Sequence, residues 1–151
     1  MKYIINCFIV CLADLFSKQY INTKYKLSKQ NEIYLNRLYI WNTKNKGIAY
    51  NKLEQSPNTV KLITGAITAL LGAVFAATVF KPSTPKLFKL GISAALGGAL
   101  GNFIDRVKNG CVTDFIYIKS KKIKNMPIFN IADIGIVLGS ILMFLAEFFK
   151  K

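Results

Sequence analysis

The 151-residue sequence contains no histidine and only three cysteines. Without histidine, the chain cannot build a Cys/His metal site or a nucleophile activated by an imidazole. The cysteines are also scattered, since Cys7 and Cys11 lie one helical turn apart in an apolar stretch, whereas Cys111 lies in a connection. We interpret them as small apolar residues, and we expect no metal ion and no other cofactor.

Acidic residues are scarce as well, with seven against 21 lysines and arginines, which gives a formal net charge of +14. A strong positive charge can indicate binding to nucleic acid. Here the lysines lie in connections and at the chain ends, beside apolar stretches, where attraction to anionic lipid head groups is the simpler explanation. We therefore expect membrane lipids as partners and no nucleic acid.

Apolar residues are abundant: they form 52% of the chain, and the mean hydropathy is +0.33. Residues 62–80 carry no charge and, at about 1.5 Å per residue, can cross a hydrocarbon core of roughly 30 Å. Three other stretches are shorter or contain an acid, which is tolerated where the acid faces a bundle interior. We predict a single all-α membrane domain over residues 1–151. Its four transmembrane helices are expected at about 3–21, 60–80, 88–105 and 128–149.

The first apolar stretch also resembles a signal peptide, because Lys2 precedes it. No cleavage site of the A-x-A type follows, and Asp14 closes the stretch where processing signals rarely carry an acid. We interpret the stretch as a retained first helix.

The connections between the predicted helices differ in character. In the first, residues 32–43 (EIYLNRLYIWNT) are rich in aromatic and β-branched residues and predict one or two strands. Pro82 and Pro85 make the second a tight turn. In the third, residues 111–118 (CVTDFIYI) predict a short extended segment. Four spans place the first and third connections together at one end of the bundle.

Small residues recur at helical spacing in two of the predicted helices. Gly97 and Gly101 form a GxxxG pair, and Ala69, Ala73 and Ala77 repeat every four residues. Small residues let membrane helices approach each other closely. We therefore expect both stripes to face neighbouring helices.

All four aspartates of the chain, Asp14, Asp105, Asp114 and Asp133, lie within or just beside a predicted helix. One acid at the bilayer centre costs about 2.5–3.5 kcal/mol on insertion scales, so four of them indicate paired or hydrated sites. Any one of these aspartates could simply be a helix-end residue in the head-group region, but this explanation is much weaker for all four together. Their positions place all four at the end of the bundle that carries the first and third connections.

Two carboxylates held close together cannot both ionise easily, so one keeps a proton while the other acts as a base. Such a pair can activate water for attack on a peptide carbonyl. Asn102, Asp105 and Arg106 share one helical side, and we expect Arg106 to neutralise and orient a neighbouring carboxylate. Ser17 and Lys18 offer a competing Ser/Lys dyad, which we disfavour because adjacent residues on a helix point in different directions.

Three sequence blocks resemble the lipoprotein signal peptidase family, also called signal peptidase II. They are GGALGNFIDR (97–106), VTDFI (112–116) and FNIAD (129–133), in the family's order and spacing. DLFSK (14–18) is similar to the family's DQxSK block, and NKGIAYN (45–51) is a degraded version of its NTGAAFS block. Lys46, Ile48 and Asn51 depart from that last block.

The resemblance implies an aspartyl endopeptidase whose catalytic pair is Asp114 and Asp133. The other motif positions would shape the site or contact substrate: Asp14, Asn45, Asn102, Asp105, Arg106 and Asn130. The implied substrate is a prolipoprotein whose lipobox cysteine carries diacylglycerol, cleaved just before that cysteine. The implied fold has four transmembrane helices and a small extracytoplasmic β-rich cradle in the first connection. We expect a monomer in the bacterial cytoplasmic (inner) membrane with its active site near the extracytoplasmic face.

Two alternatives remain at the level of sequence. The first and third connections carry more than half of the lysines and arginines, so a positive-inside count places them in the cytoplasm, opposite to the family's topology. We favour the family topology because the lysines at positions 81, 86 and 89 lie tight against membrane ends. A non-enzymatic four-helix protein, such as a transporter subunit or a proton relay, would also use intramembrane aspartates, but it does not explain the order of the blocks.

Overall fold

The computed structural model describes residues 1–48, 53–119 and 126–149. Its four helices are α1 (Lys2–Lys24), α2 (Pro57–Val79), α3 (Lys86–Asn109) and α4 (Ile131–Phe148). All four are long and apolar enough to cross a membrane. The number and order of the predicted helices are therefore confirmed, although α1, α2 and α3 each begin before the predicted start and α1 and α3 also end later.

A four-stranded antiparallel sheet lies at one end of the helices, in the order β1-β2-β3-β4. Its strands are β1 (Gln30–Tyr34), β2 (Leu38–Asn45), β3 (Val112–Ile118) and β4 (Ile128–Phe129). The first connection supplies β1 and β2, and the third supplies β3 and β4. Pairing of β2 with β3 therefore brings these two connections together, as the count of spans predicts.

The predicted start of the fourth helix at residue 128 is wrong. Ile128 and Phe129 pair with Tyr117 and Ile116 of β3, and the helix begins only at Ile131. Hydropathy cannot detect this boundary, because the apolar run continues through the strand into the helix. The boundary is set by Asn130, whose side chain caps the helix.

Helix α3 contacts each of the other three helices and is the most deeply buried of them. The small residues of α3 allow the neighbouring helices to approach it closely. A side chain at Gly97 would put Cβ 2.5 Å from the Cys7 carbonyl oxygen of α1, and one at Gly98 would put it 2.3 Å from the Ala132 carbonyl oxygen of α4. The backbones of α1 and α4 thus lie directly against adjoining faces of α3.

Helix α2 packs on α3 through a different face from the one that the sequence predicts. Ala69, Ala73 and Ala77 are exposed, so the expectation that this stripe faces a helix is wrong. Thr68 is buried instead, and Gly65 lies against the ring of Phe103. Spacing shows which residues share a face, but it does not show which face meets the neighbouring helix.

Candidate active site

Asp114 and Asp133 are held next to each other by Asn130. The Asn130 side-chain amide donates to Asp114 Oδ1 at 2.7 Å, and its backbone N–H donates to Asp133 Oδ2 at 3.1 Å. Asn130 itself is fully buried. One asparagine therefore fixes the relative position of both carboxylates, one on β3 and the other on α4.

The position of Asp133 follows from local sequence. Asn130 is the N-cap of α4, and its Oδ1 accepts the Asp133 backbone N–H at 2.9 Å while the Asp133 carboxylate accepts the Asn130 N–H. This reciprocal capping box explains the three-residue spacing in FNIAD. The carboxylate thus lies at the positive end of the helix dipole, which stabilises its negative charge.

Asp114 lies in the middle of β3 and is only 4% exposed. Its pKa is raised from 3.8 to about 6, mainly by burial and also by the charge of Asp133, although hydrogen bonds from Asn45 and Asn130 lower it. The Asn45 amide donates to Asp114 Oδ2 at 3.0 Å. Near neutral pH this carboxyl group therefore takes up a proton far more readily than an exposed aspartate.

Asn102 connects Asp133 to a second polar layer. Its Nδ2 donates to Asp133 Oδ1 at 3.0 Å, and its Oδ1 accepts from Lys18 Nζ at 2.8 Å and from the Asn130 amide at 3.1 Å. Lys18 is 3% exposed and forms an ion pair of 2.7 Å with Asp14. We did not predict Lys18 as a site residue, although the i,i+4 spacing of Asp14 and Lys18 is a detectable signal.

The two remaining aspartates lie behind the pair. Asp14 accepts the backbone N–H of Ala132 at 2.9 Å and so joins α1 to the first turn of α4. Asp105 accepts the backbone N–H of Thr113 at 2.9 Å, which fixes the start of β3 on α3. Both acids are buried and support the structure around the pair.

The expected pairing of Arg106 with a neighbouring carboxylate is not found among the described residues. Arg106 Nη2 donates to the Gly47 carbonyl oxygen at 2.6 Å, and the cation nearest to Asp105 is Lys18, at 3.6 Å. Consecutive residues on a helix point about 100° apart, so Arg106 and Asp105 face different neighbours. Arg106 Nε and Nη1 are buried and have no hydrogen-bond partner in the described part of the chain.

The Ser17/Lys18 dyad is not formed. Ser17 Oγ donates to the Asp14 carbonyl oxygen one turn earlier at 2.8 Å, whereas Lys18 Nζ contacts Asp14 and Asn102. Lys18 is therefore fully engaged with other partners. This outcome agrees with the prediction that adjacent helical residues point apart.

Two cavities meet at Asp114. One, of about 570 Å³, lies between α2, α3 and α4 and is lined by both Asp114 and Asp133. The other, of about 480 Å³, lies over the sheet and is lined by Asp114, Trp41 and Lys44. The predicted site residues Asn45, Asn102, Arg106, Asp114 and Asp133 line the first cavity, together with Ile48. Among the departures from the NKGIAYN block, Asn51 lies outside the described residues.

Four membrane-length helices and two linked carboxylates at a partly apolar cavity define a membrane protein whose site is suited to hydrolysis. The family model described as signal peptidase (SPase) II matches residues 6–149. The chain belongs to the signal peptidase II family and is therefore a peptidase. This membership replaces the alternative of a transporter subunit or proton relay.

Individual relatives agree with the family match. The chain is 34% identical over 145 residues to a lipoprotein signal peptidase of Anoxybacillus flavithermus, covering 96% of this chain and 84% of the relative. It is 36% identical over 142 residues to one of Geobacillus kaustophilus, covering 93% and 88%. A bacterial membrane enzyme solved at 1.9 Å resolution by the in meso method superposes with a TM-score of 0.82 at 31% identity, covering 99% and 94%.

Proposed function

We propose that the chain is an aspartyl endopeptidase that removes the signal peptide from diacylglyceryl-modified prolipoproteins and cleaves just before the lipidated cysteine. The observation that carries this proposal is the bridge that Asn130 makes between Asp114 and Asp133. Two bridged carboxylates that share one proton can serve as base and acid at the same peptide bond.

The surroundings of the two carboxylates support different roles. Asp133 lies at a helix N-terminus and accepts two N–H donors, so it suits the ionised base. Asp114, whose pKa is raised to about 6 by burial, suits the protonated acid. The network thus favours a pair with a single proton, held by Asp114.

Hydrolysis then needs only these two groups and water. Asp133 takes a proton from water as the water oxygen bonds to the peptide carbonyl carbon, and Asp114 gives its proton to the carbonyl oxygen. As the C–N bond breaks, Asp133 passes its proton to the leaving nitrogen and one hydroxyl of the intermediate returns a proton to Asp114. The products are a carboxylic acid and an amine, and the pair regains its starting protonation.

The two cavities suit the two chemical parts of such a substrate. The walls of the larger one include Ile63, Ile67, Ile136 and Val137, which suit an apolar signal peptide or acyl chains. The cavity over the sheet contains Gln30 and polar β2 residues, which suit the more polar chain beyond the cleaved bond. Because Asp114 lines both, a peptide running from one cavity to the other would present its backbone to the pair.

The chemistry of the substrate can be tested with the purified protein. It is incubated with one precursor carrying diacylglycerol on its cysteine and with the same precursor lacking the lipid, and the products are weighed by mass spectrometry. We expect cleavage before the lipidated cysteine and little cleavage of the unlipidated precursor. Equal cleavage of both precursors would contradict the proposed substrate class.

We further propose that the chain lies in the bacterial cytoplasmic membrane as a monomer, with the sheet and the aspartate pair at the extracytoplasmic face. Thiol labelling in intact cells tests this orientation. In a variant with Cys111 replaced by serine, Lys29→Cys on the sheet side is expected to react with an impermeant reagent, and Thr84→Cys in the α2–α3 turn is expected to be protected. The reverse pattern would show that the positive-inside count is the better guide.

A further inference from the structure

Lys18 lines neither of the two cavities, and the proposed reaction gives it no part. Its ammonium group is buried between α1 and α3, 2.7 Å from Asp14 Oδ2, 2.8 Å from Asn102 Oδ1 and 3.6 Å from Asp105 Oδ2. We propose that Lys18 is a positioning residue that holds the Asn102 amide with its nitrogen toward Asp133, so that Asp133 remains the ionised member of the pair. This inference rests on the proposed aspartyl mechanism.

The hydrogen-bonding capacity of lysine carries the first step. An ammonium group has three donors and no acceptor, so only the oxygen of the Asn102 amide can face Lys18. The amide nitrogen must then point the other way, where it donates to Asp133 Oδ1 at 3.0 Å. If the amide were turned over, its oxygen would face the Asp133 carboxylate and its nitrogen would face an ammonium group.

The second step concerns the place that the fold provides for Lys18. A side chain at Gly101 would put Cβ 2.4 Å from Asp14 Oδ2, so only glycine leaves room for the ion pair at this point of α3. The other oxygen of Asp14 accepts the N–H of Ala132, the residue just before Asp133. Lys18 therefore fixes Asn102, which donates to Asp133, and Asp14 fixes the first turn of α4, which carries Asp133.

The charges around Asp133 come from three elements. Among the residues that the structure describes, they are Asp14 and Lys18 on α1, Asp105 and Arg106 on α3, and Asp114 on β3. The part of α2 that lines the cavity supplies only Ile63, Thr64, Ile67 and Thr68, none of which carries a charge. Loss of Lys18 would remove positive charge from this group and would free Asn102 to turn, and both changes disfavour ionised Asp133.

The test is a pH–rate profile of Lys18→Met, which keeps the length of the side chain but removes its charge and donors. We expect kcat to fall about 10- to 100-fold, the usual effect of losing a hydrogen bond to a charged group, with KM changed little. The acid limb of the profile should move to higher pH, because a carboxylate with fewer donors needs a higher pH to ionise.

A matched control separates positioning from stability. Asn6 donates to Ser93 at 2.8 Å and is another polar contact between α1 and α3, far along the helices from the pair. Asn6→Ala should lower the thermal stability in detergent without moving either limb of the profile. If Lys18→Met behaves in the same way, with an unshifted acid limb, Lys18 has only a structural role and the inference is wrong.

Lys18→Met leaves Asp14 buried without its cation, so the single variant risks failing to fold. Asp14→Asn/Lys18→Met removes both charges together and should accumulate. Its acid limb should move in the same direction but by less, because the local net charge is unchanged and only the freeing of Asn102 remains. Asp133→Asn, assayed in parallel, distinguishes the two proposals. Full turnover in Asp133→Asn would overturn the aspartyl mechanism itself, whereas inactive Asp133→Asn with unshifted Lys18 variants would overturn only the positioning role.

Discussion

The two sides of α3 are built differently. Toward α1 and α4, glycines bring backbones into direct contact, and a polar network of Lys18, Asn102 and Asn130 links the helices to the aspartate pair. Toward α2, the contacts are side chains such as Phe103, and a cavity of about 570 Å³ opens beside the same pair. Catalytic groups need fixed geometry, whereas a bulky apolar substrate needs room. Under the proposed mechanism, we therefore expect the α1–α3–α4 side to hold the chemistry and the α2 side to admit substrate.

The largest loss of cleavage is expected from substitutions in the aspartate pair itself. Asp114→Asn and Asp133→Asn each keep the size of the side chain but remove its ability to exchange a proton. We expect each to reduce cleavage of a diacylglyceryl precursor by about 100- to 10,000-fold. The double variant should be little worse, because members of one catalytic unit are not additive. Glu32→Gln on β1, a matched change at an exposed carboxylate, should leave turnover within about twofold of the parent.

Asp105→Asn provides the contrast within the network. Asp105 fixes the start of β3 and does not line either cavity, so its loss should lower stability or rate without removing the mechanism. Signal-peptide release in matched membranes measures all of these variants. Substantial turnover in Asp114→Asn or Asp133→Asn, together with none in Asp105→Asn, would move the catalytic pair to Asp105.

The pH dependence comes next, because Asp114 is the group that both cavities share. Its pKa is about 6, so the protonated form that the proposed mechanism requires is lost as the pH rises through 6 in the free enzyme. We expect kcat/KM to fall above about pH 6, approaching tenfold per pH unit. Bound substrate excludes more water and raises the pKa further, so the alkaline limb of kcat should lie at higher pH. Coincident limbs in both profiles would contradict this account.

The two sides of α3 should also differ in how well they tolerate a glycine-to-alanine substitution, although this effect is smaller. Gly98→Ala places Cβ against the Ala132 carbonyl oxygen at 2.3 Å, and we expect it to lower the free energy of unfolding by about 1–3 kcal/mol. Gly65→Ala meets only the edge of the Phe103 ring at 3.0 Å, which can move, and should be nearly neutral. Thermal unfolding in detergent measures both. Equal destabilisation would mean that α2 is held as rigidly as α4.

The smallest effect is expected from a substitution that narrows the cavity beside α2. Ile67 lines the cavity from α2. Ile67→Trp should therefore raise KM for the lipidated precursor about tenfold, or about 1.4 kcal/mol, with kcat unchanged. Leu70→Trp is the matched control, since Leu70 lies on α2 but does not line that cavity. A KM that does not respond to Ile67→Trp would argue that substrate enters elsewhere.

Much of this organisation could be predicted from local features of the sequence. The uncharged run at 62–80 and three weaker apolar stretches predict four helices, because crossing a membrane requires length and hydrophobicity, and both are properties of a short segment. The spacing of Asn130 and Asp133 is also local, since a capping box needs only four consecutive residues. The blocks around Asp114 and Asp133 were sufficient to identify the family.

Contacts between distant segments could not be predicted in this way. The alanine stripe of α2 faces outward, Arg106 reaches Gly47 instead of a carboxylate, and Ile128 joins a strand instead of a helix. Each outcome depends on which partner lies opposite in space, and spacing along one segment carries no information about that partner.

The sequence by itself determined the membrane helices, the placement of the aspartates at one end and the family, because these depend on composition and on short motifs. Only the tertiary structure decided how the aspartates are connected. Asn102 accepts from Lys18 and donates to Asp133 across three helices, over separations of 84 and 31 residues in the chain. Such a network forms only when α3 packs closely enough on α1 and α4 for buried polar groups to satisfy one another.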